Sequence, residues 1–512
     1  MRRKQFTAIL KGERVTLIGL IALGMLALTT TPAVAAKQPL TDISITDAVE
    51  DELIMDQAVP FHLIDVATTD GVVTLSGSVD NILAKERAAR IARMVKGVRT
   101  VVNQVEVDPP LLRTDSQIRD DVEDALRTDP ATDSYEVNVE VQDSVVTLSG
   151  TVDSLQEKEL SETVAMGVKG VKRANNKIMV SWPETRPDEE IKVEVEKALE
   201  WDAFLDHALI DVNVQNEKVL LSGIVGSAAE KDTAYWTAYV AGVKTVDDSG
   251  LKVKRWARDP DLKGEKYAKK SKEEIEDAVK DALLYDPRVS SFEVSPEVAD
   301  DGITVILRGM VDNLKAKRAA GQDAQNTVGV RAVDNRILVR PTLMRSDEKI
   351  EDNVRRALVR DPYVESFDIK VDVRNGVADL YGTVDSFFEK FQADDVASRV
   401  NGVLMVDNKL IVQKDYHPYI TDPYVDDRYG YDSEWHQYRP RFPAKSDWRI
   451  KEDIQDELWW SPFVDADDVT VTVDNGEVTL TGIVDSWSEF NAAANNAYEG
   501  GAVYVDNDLQ VR

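Results

Sequence analysis

Apolar residues along this chain keep two rhythms that alternate and then recur. Ile118, Val122, Ala125 and Leu126 fall at i, i+4, i+7 and i+8, one face of a 3.6-residue period, which predicts a helix. The same stripe returns as Ile191, Val195, Ala198 and Leu199, as Ile275, Val279, Ala282 and Leu283, and as Ile350, Val354, Ala357 and Leu358. Asp129-Pro130, Asp286-Pro287 and Asp361-Pro362 follow three of these stripes and stop the helix, because proline disfavours helical geometry in the residue before it. The period then shortens to two, as in Val137, Val139 and Val141 or Ile369, Val371 and Val373. Asp70-Gly71, Asp301-Gly302, Asn375-Gly376 and Asn475-Gly476 are tight-turn pairs that fold such a strand onto a second one.

The second strand exposes the repeat. Six segments read apolar-apolar-x-Leu-x-Gly or a near variant, ending at Gly77, Gly150, Gly223, Gly309, Gly382 and Gly482. Nineteen or twenty residues later come Gly97, Gly170, Gly242, Gly329, Gly402 and Gly501, and six further on Asn103, Asn176, Asp248, Asn335, Asn408 and Asn507. Between the two glycines a second helix is expected, opened by capping boxes at Ser154–Glu157, Ser227–Glu230, Ser386–Glu389 and Ser486–Glu489, where serine and glutamate satisfy free amides reciprocally. A last strand follows the second glycine. The unit is αββαβ in roughly 65–70 residues, and two helices must cover one face of its three-stranded sheet, since each element alone leaves an apolar face in water.

The expected class is therefore α+β, six tandem two-layer domains at 41–107, 114–180, 187–253, 271–339, 346–412 and 447–512. A domain this small buries only about 60% of its extended-chain surface, so neighbours are expected to share stability. The connectors at 254–270 and 413–446 are longer than the others, and predict blocks of three, two and one.

Composition adds an address. Arg2, Arg3, Lys4, Lys11 and Arg14 precede an apolar stretch from Val15 to Leu28, and Ala33-Val34-Ala35 supplies a small-x-small pattern. Residues 1–36 read as a signal peptide cleaved near Ala35/Ala36, which implies a periplasmic, soluble mature chain. There is no cysteine, which removes disulfides, thiolate metal sites and thiol nucleophiles. The net charge of −31 repels phosphate backbones and argues against nucleic acid. It also opposes broad electrostatic adsorption to anionic lipid, so membrane contact is peripheral at most. His62, His207, His417 and His436 occupy no shared repeat position, and HExxH, P-loop and GxSxG patterns are missing. No enzyme and no cofactor is expected.

The order helix, hairpin, helix, strand, with Val-Thr-Leu-Ser-Gly-x-Val-Asp-Ser and Gly-Val-x-x-Val-x-Asn, resembles the BON domain, a family named for an osmotically induced periplasmic protein and for nodulation proteins. The resemblance covers nearly the whole mature chain outside the two longer connectors. It rests on both glycines in six units and on Asp80, Asp153, Asp312, Asp385 and Asp485; the third unit departs, with Gly226 and Asp248. It implies non-enzymatic binding of envelope components, phospholipid first, in envelope maintenance or osmotic stress. A protein–protein adaptor or a holdase-like stress protein is the alternative, with envelope proteins as partners.

Each candidate site has two readings. The first glycines either let a ligand approach bare backbone or permit a bulge in the strand; the second set are structural glycines. The Asp-Ser pairs before the second helices either bind a cation or cap the helix, and single carboxylates lack the several oxygens Ca²⁺ needs. Leu155, Phe387 and Trp487 open second helices, with Phe388 beside Phe387; these side chains either contact lipid or a partner, or staple the helix end to its sheet. The 413–446 segment carries Tyr424, Tyr429 and Trp435 among other aromatics, residues suited to half-wet interfaces, in either a contact element or an extended spacer.

Overall fold

The computed structural model describes residues 40–512 except 57, 111–112, 130–136, 182–185, 259–269, 287–288, 290–292, 342–344, 365, 367–368, 413–445, 486, 503 and 512. The proposed leader and the segment with Tyr424, Tyr429 and Trp435 lie outside the described residues. Each unit contributes two α-helices: α1 (Asp42–Met55) and α2 (Ile82–Met94), α3 (Asp115–Thr128) and α4 (Leu155–Met166), α5 (Asp188–Trp201) and α6 (Ala228–Thr237). The pairs continue with α7 (Lys272–Tyr285) and α8 (Leu314–Gln325), α9 (Asp347–Arg360) and α10 (Phe387–Ser398), α11 (Asp447–Trp460) and α12 (Trp487–Glu499).

The second unit shows the plan. Strands Val137–Gln142 and Val145–Val152 form an antiparallel hairpin, and Arg173–Val180 adds in parallel to the other edge of the central strand after the α4 crossover. Val146, Leu148 and Val152 turn into a core with Ile118, Val122 and Leu126 of α3 and Leu160, Val164 and Ala165 of α4. Strand alternation puts Thr147 and Ser149 on the opposite, helix-free face. All six units are α+β in this way, each with its own sheet. In the first and fourth, the last strand is interrupted, and both pieces (Thr100–Asn103 and Glu106–Val107; Ala332–Asn335 and Leu338–Val339) pair with the central strand. In the third it shifts register between Asp247 and Gly250.

Two features of the hairpin depart from expectation. The second and third units turn through Asp143-Ser144 and Asn216-Glu217, with φ of 51° and 62° and of 53° and 60°. These are the two left-handed residues of a type I′ turn, made without glycine. The fourth unit instead places Asp301-Gly302 in a longer connection between Val294–Val298 and Thr304–Val311.

The capping boxes expected at the second helices are only half formed. Ser154, Ser227 and Ser386 accept the N–H three residues on, at 3.1, 3.0 and 3.0 Å. Glu389 reaches past the cap to accept the Asp385 N–H at 3.0 Å. Glu230 and Glu489 each bridge two segments: Glu230 accepts from Gly226 and Asp206, Glu489 from Asp485 and Asp465. Reciprocal boxes sit at first helices instead, at Thr41/Ser44, Thr114/Gln117 and Ser271/Glu274.

The units interlock in a cycle. Ile82, which opens α2, lies in the core of the second unit; Leu155, which opens α4, lies in the core of the third; Ala228, which opens α6, lies in the core of the first. Three domains thus close a ring, each lending the start of its second helix to the next. In the C-terminal half Leu314 enters the fifth unit's core, and Arg331 of the fourth covers Trp487 of the sixth, 4.6 Å from the ring centre.

Backbone hydrogen bonds join the two halves. Lys96 N–H donates to Trp460 C=O (3.0 Å), Lys169 N–H to Arg360 C=O (2.8 Å), Asn401 N–H to Thr128 C=O (3.3 Å) and Val328 N–H to Trp201 C=O (3.0 Å). Every donor immediately precedes a second glycine, and every acceptor closes a first helix. The pairs are first with sixth, second with fifth, and third with fourth. Residues 40–512 therefore form one compact unit, and the blocks of three, two and one are not observed. Connector length reports the chain available between domains; it carries no information about which surfaces meet.

Candidate functional site between the domains

Of the residues singled out for lipid or partner contact, three have described side chains, and each meets another domain. Leu155 is 4% exposed in the third unit's core, so lipid cannot reach it; its place at a helix start, facing a neighbour, explains the apolar choice. Phe388 stands edge-on to Tyr363 at 4.9 Å and lies under Arg87 of the first unit at 4.8 Å. Trp487 packs edge-on against Phe490 at 5.2 Å beneath Arg331. Desolvated guanidinium–ring contacts of this kind are worth up to about 2 kcal/mol. The side chain of Phe387 lies outside the described residues.

The first glycines are demanded by backbone. At Gly77 φ is +111°, and a β-carbon would stand 2.0 Å from the Leu63 carbonyl oxygen. The second set also take positive φ, and a β-carbon on Gly402 would press on Ile350 at 3.0 Å. In four units the N–H just before this glycine points outward to a partner domain.

Two recurring clamps went unread in the sequence. The first residue of five first helices is an aspartate whose carboxylate accepts both N–H groups of the hairpin turn: Asp347 accepts from Asn375 (2.8 Å) and Gly376 (3.0 Å). Asp42, Asp115, Asp188 and Asp447 do the same. The motif asparagine ties the last strand to the second helix. Asn408 donates from Nδ2 to Lys390 C=O at 2.8 Å and accepts the Leu410 N–H. The third unit has Asp248, paired with Lys231 at 3.6 Å, beside its register shift.

The contact between the second and fifth units is polar. Asp124 of α3 takes Arg356 of α9 at 2.8 Å and also Arg360, and Lys169 Nζ donates to Val364 C=O at 2.9 Å. Burial pushes the Arg360 guanidinium down to about 10. Asp361 beside it accepts from Gln392 and from the Tyr363 N–H, yet burial outweighs both and pushes its carboxyl up to about 6. Breaking a buried pair such as Asp124–Arg360 costs about 3–5 kcal/mol, whereas exposed pairs such as Lys349–Asp352 contribute about 0–1 kcal/mol.

A cavity of about 900 Å³ opens between these contacts, walled by α2, α4, α6 and α10 and by the end of α9. Arg87, Arg90 and Arg93 line it from α2, Glu159 and Glu162 from α4, and Asp232 and Trp236 from α6. The Tyr363 hydroxyl is buried in its wall with no hydrogen-bond partner among the described residues, and burial pushes its pKa up. Among the described residues no group of His, Cys, Asp and Glu is placed to hold a metal ion, and no helix is long and apolar enough to cross a membrane.

The repeat geometry has a match among known families. The BON domain model fits six times, at residues 41–109, 114–181, 187–255, 271–341, 346–414 and 446–512. The chain belongs to the BON domain family. Among curated proteins it is similar to osmotically-inducible protein Y of Escherichia coli (strain K12), 33% identical over 143 residues, 27% of this chain and 71% of the relative. Among solved structures it is similar to the C-terminal domain of CdsD, a structural protein of the type III secretion system of Chlamydia trachomatis. The match is 15% identical with a TM-score of 0.12, and covers 42% of this chain and all of that one. A second CdsD structure matches at 16% and 0.11, over 40% and 90%. In BON terms, both glycines and the following asparagine are parts of the fold.

Proposed function

We propose that this chain is a non-catalytic periplasmic scaffold that engages cell-envelope components, phospholipid first, during osmotic stress or envelope maintenance. The likeness to an osmotically inducible protein supports the setting. One observation supports the binding mode: every unit exposes an apolar residue on the strand face turned away from its helices. These are Val102, Met179, Leu220, Leu338, Ile411 and Ile483, from 40% to 65% exposed. With the aromatic helix starts occupied between domains, these faces supply apolar surface that recurs in every unit for an envelope partner.

Flotation of the mature protein with vesicles of envelope lipid composition tests this. Binding through apolar contacts survives high salt, because the strongly acidic chain, −31 with the leader included, gives anionic lipid no electrostatic hold. Substituting Met179, Ile411 and Ile483 together by aspartate abolishes it, and failure to float at any composition removes the reading. The adaptor alternative draws on the same acidity and predicts partners retained by pull-down from lipid-free extract.

A further inference from the structure

We propose that the cavity between the first, second, third and fifth domains binds a zwitterionic amphiphile with a single aliphatic chain, its head group held between the basic side of α2 and the acidic sides of α4 and α6. This deepens the phospholipid reading above and rests on it, giving the lipid a place inside the assembly rather than on its surface.

The volume, about 900 Å³, falls within the range of small-molecule sites, roughly 300–1,000 Å³. Among the helices that wall it, α2 contributes four cations against one carboxylate, Glu86, while α4 and α6 contribute carboxylates alone; the remaining lining carries both signs. Arg87, Arg90 and Arg93 follow one another at three-residue intervals on α2, which carries them along one side of the helix. Arg87 is committed to Asp56 at 2.7 Å, while Arg93 makes no ion pair among the described residues. Facing them are Glu159, Glu162 and Asp232. A ligand carrying both signs matches such walls, whereas a purely anionic or cationic one leaves half of them opposed.

Two groups mark where the ends belong. Burial first, and then Glu86 across the domain boundary, raises the Glu162 carboxyl above its ordinary range although Asn176 hydrogen-bonds it. An ammonium beside these carboxylates and the Trp236 ring gains both charge pairing and ring attraction. On the opposite side Arg93, which lines the same cavity, offers a donor to a phosphate or carboxylate oxygen. Leu83, Val105, Val164, Met166, Phe388 and Val396 supply the apolar remainder, enough for one chain.

The test uses the full-length mature chain and a short-chain lysophospholipid with a phosphoethanolamine head, kept below its micelle concentration, in titration calorimetry. Saturable one-to-one binding is expected, weakened about tenfold or more by Arg93→Glu, by Asp232→Lys and by the cavity-filling Leu83→Trp. Circular dichroism and melting confirm that each variant is folded. No saturable uptake by the folded chain overturns the proposal, and so does unchanged affinity in all three folded variants. Equal binding of free phosphoethanolamine removes the aliphatic chain from the ligand class, and equal binding of a phosphoglycerol-headed lysolipid removes the zwitterion. Vesicle flotation run beside it separates the two readings: flotation without monomer uptake sinks the cavity alone, while loss of both sinks the phospholipid reading as well.

Discussion

At the scale of single residues, most of the repeat's recurring polar positions act on backbone amides. Asp347 holds two turn N–H groups with one carboxylate, and Asp347→Ala leaves both without that acceptor. The loss is expected to be about 1–3 kcal/mol, less if water reaches the turn, read as a lower denaturant midpoint for the fifth unit's transition. The fourth unit shows the position can be spared: Lys272 stands there and pairs with Asp300 at 3.3 Å instead, where the turn is longer. Backbone demand at Gly309 is stricter, because a β-carbon would sit 1.8 Å from the Glu293 carbonyl oxygen. Gly309→Ala is expected to cost more than Asp347→Ala in the same measurement, since the strand pairing itself must move.

At the scale of elements, the helix–hairpin–helix–strand order was legible because periods of 3.6 and 2 leave a mark on every turn and strand. Ile118, Val122 and Leu126 fall in the core as their spacing requires. The turns of the second and third units were not legible, since Asp143-Ser144 and Asn216-Glu217 reach left-handed geometry without the glycine that signals it. The second-helix glutamates were recognised as caps but assigned the wrong donor. Spacing fixes which residue is near a helix start, and the path of the preceding loop decides which amide it meets. Asn408 couples two elements, the last strand and α10. Asn408→Ala should raise hydrogen exchange in both together; protection unchanged in α10 would show that packing alone seats that helix.

At the scale of the whole molecule, almost nothing was legible. Who pairs with whom is set by residues such as Leu155 and Phe388, whose apolar character reads the same in a core, on a membrane or against a sibling domain. Asp124 ties the halves through two arginines. Asp124→Ala leaves Arg360 buried and unpaired, and about 3–5 kcal/mol of the contact should be lost, seen as earlier protease cleavage of the otherwise compact chain. Acidity tunes the same contact. The Asp361 carboxyl sits at about 6 in the folded chain against 3.8 for an ordinary aspartate, so between those values the folded state holds a proton that the unfolded state has released. Stability then falls as pH rises from about 4 to about 6, by up to about 3 kcal/mol. Melting profiles of Asp361→Asn should be flatter across that window than those of the unaltered chain.

Four of the donors that tie one half to the other are main-chain amides at one repeat position, at Lys96, Lys169, Val328 and Asn401. Any amino acid with an N–H can occupy such a position, so duplicated copies are free to drift in side-chain identity while still recognising their opposite numbers. Only an imino acid is barred. Lys169→Pro should therefore loosen the second and fifth domains from each other where Lys169→Ala keeps the amide and gives up side-chain contacts such as that to Val364, and cross-linking yield between those two domains would tell the substitutions apart.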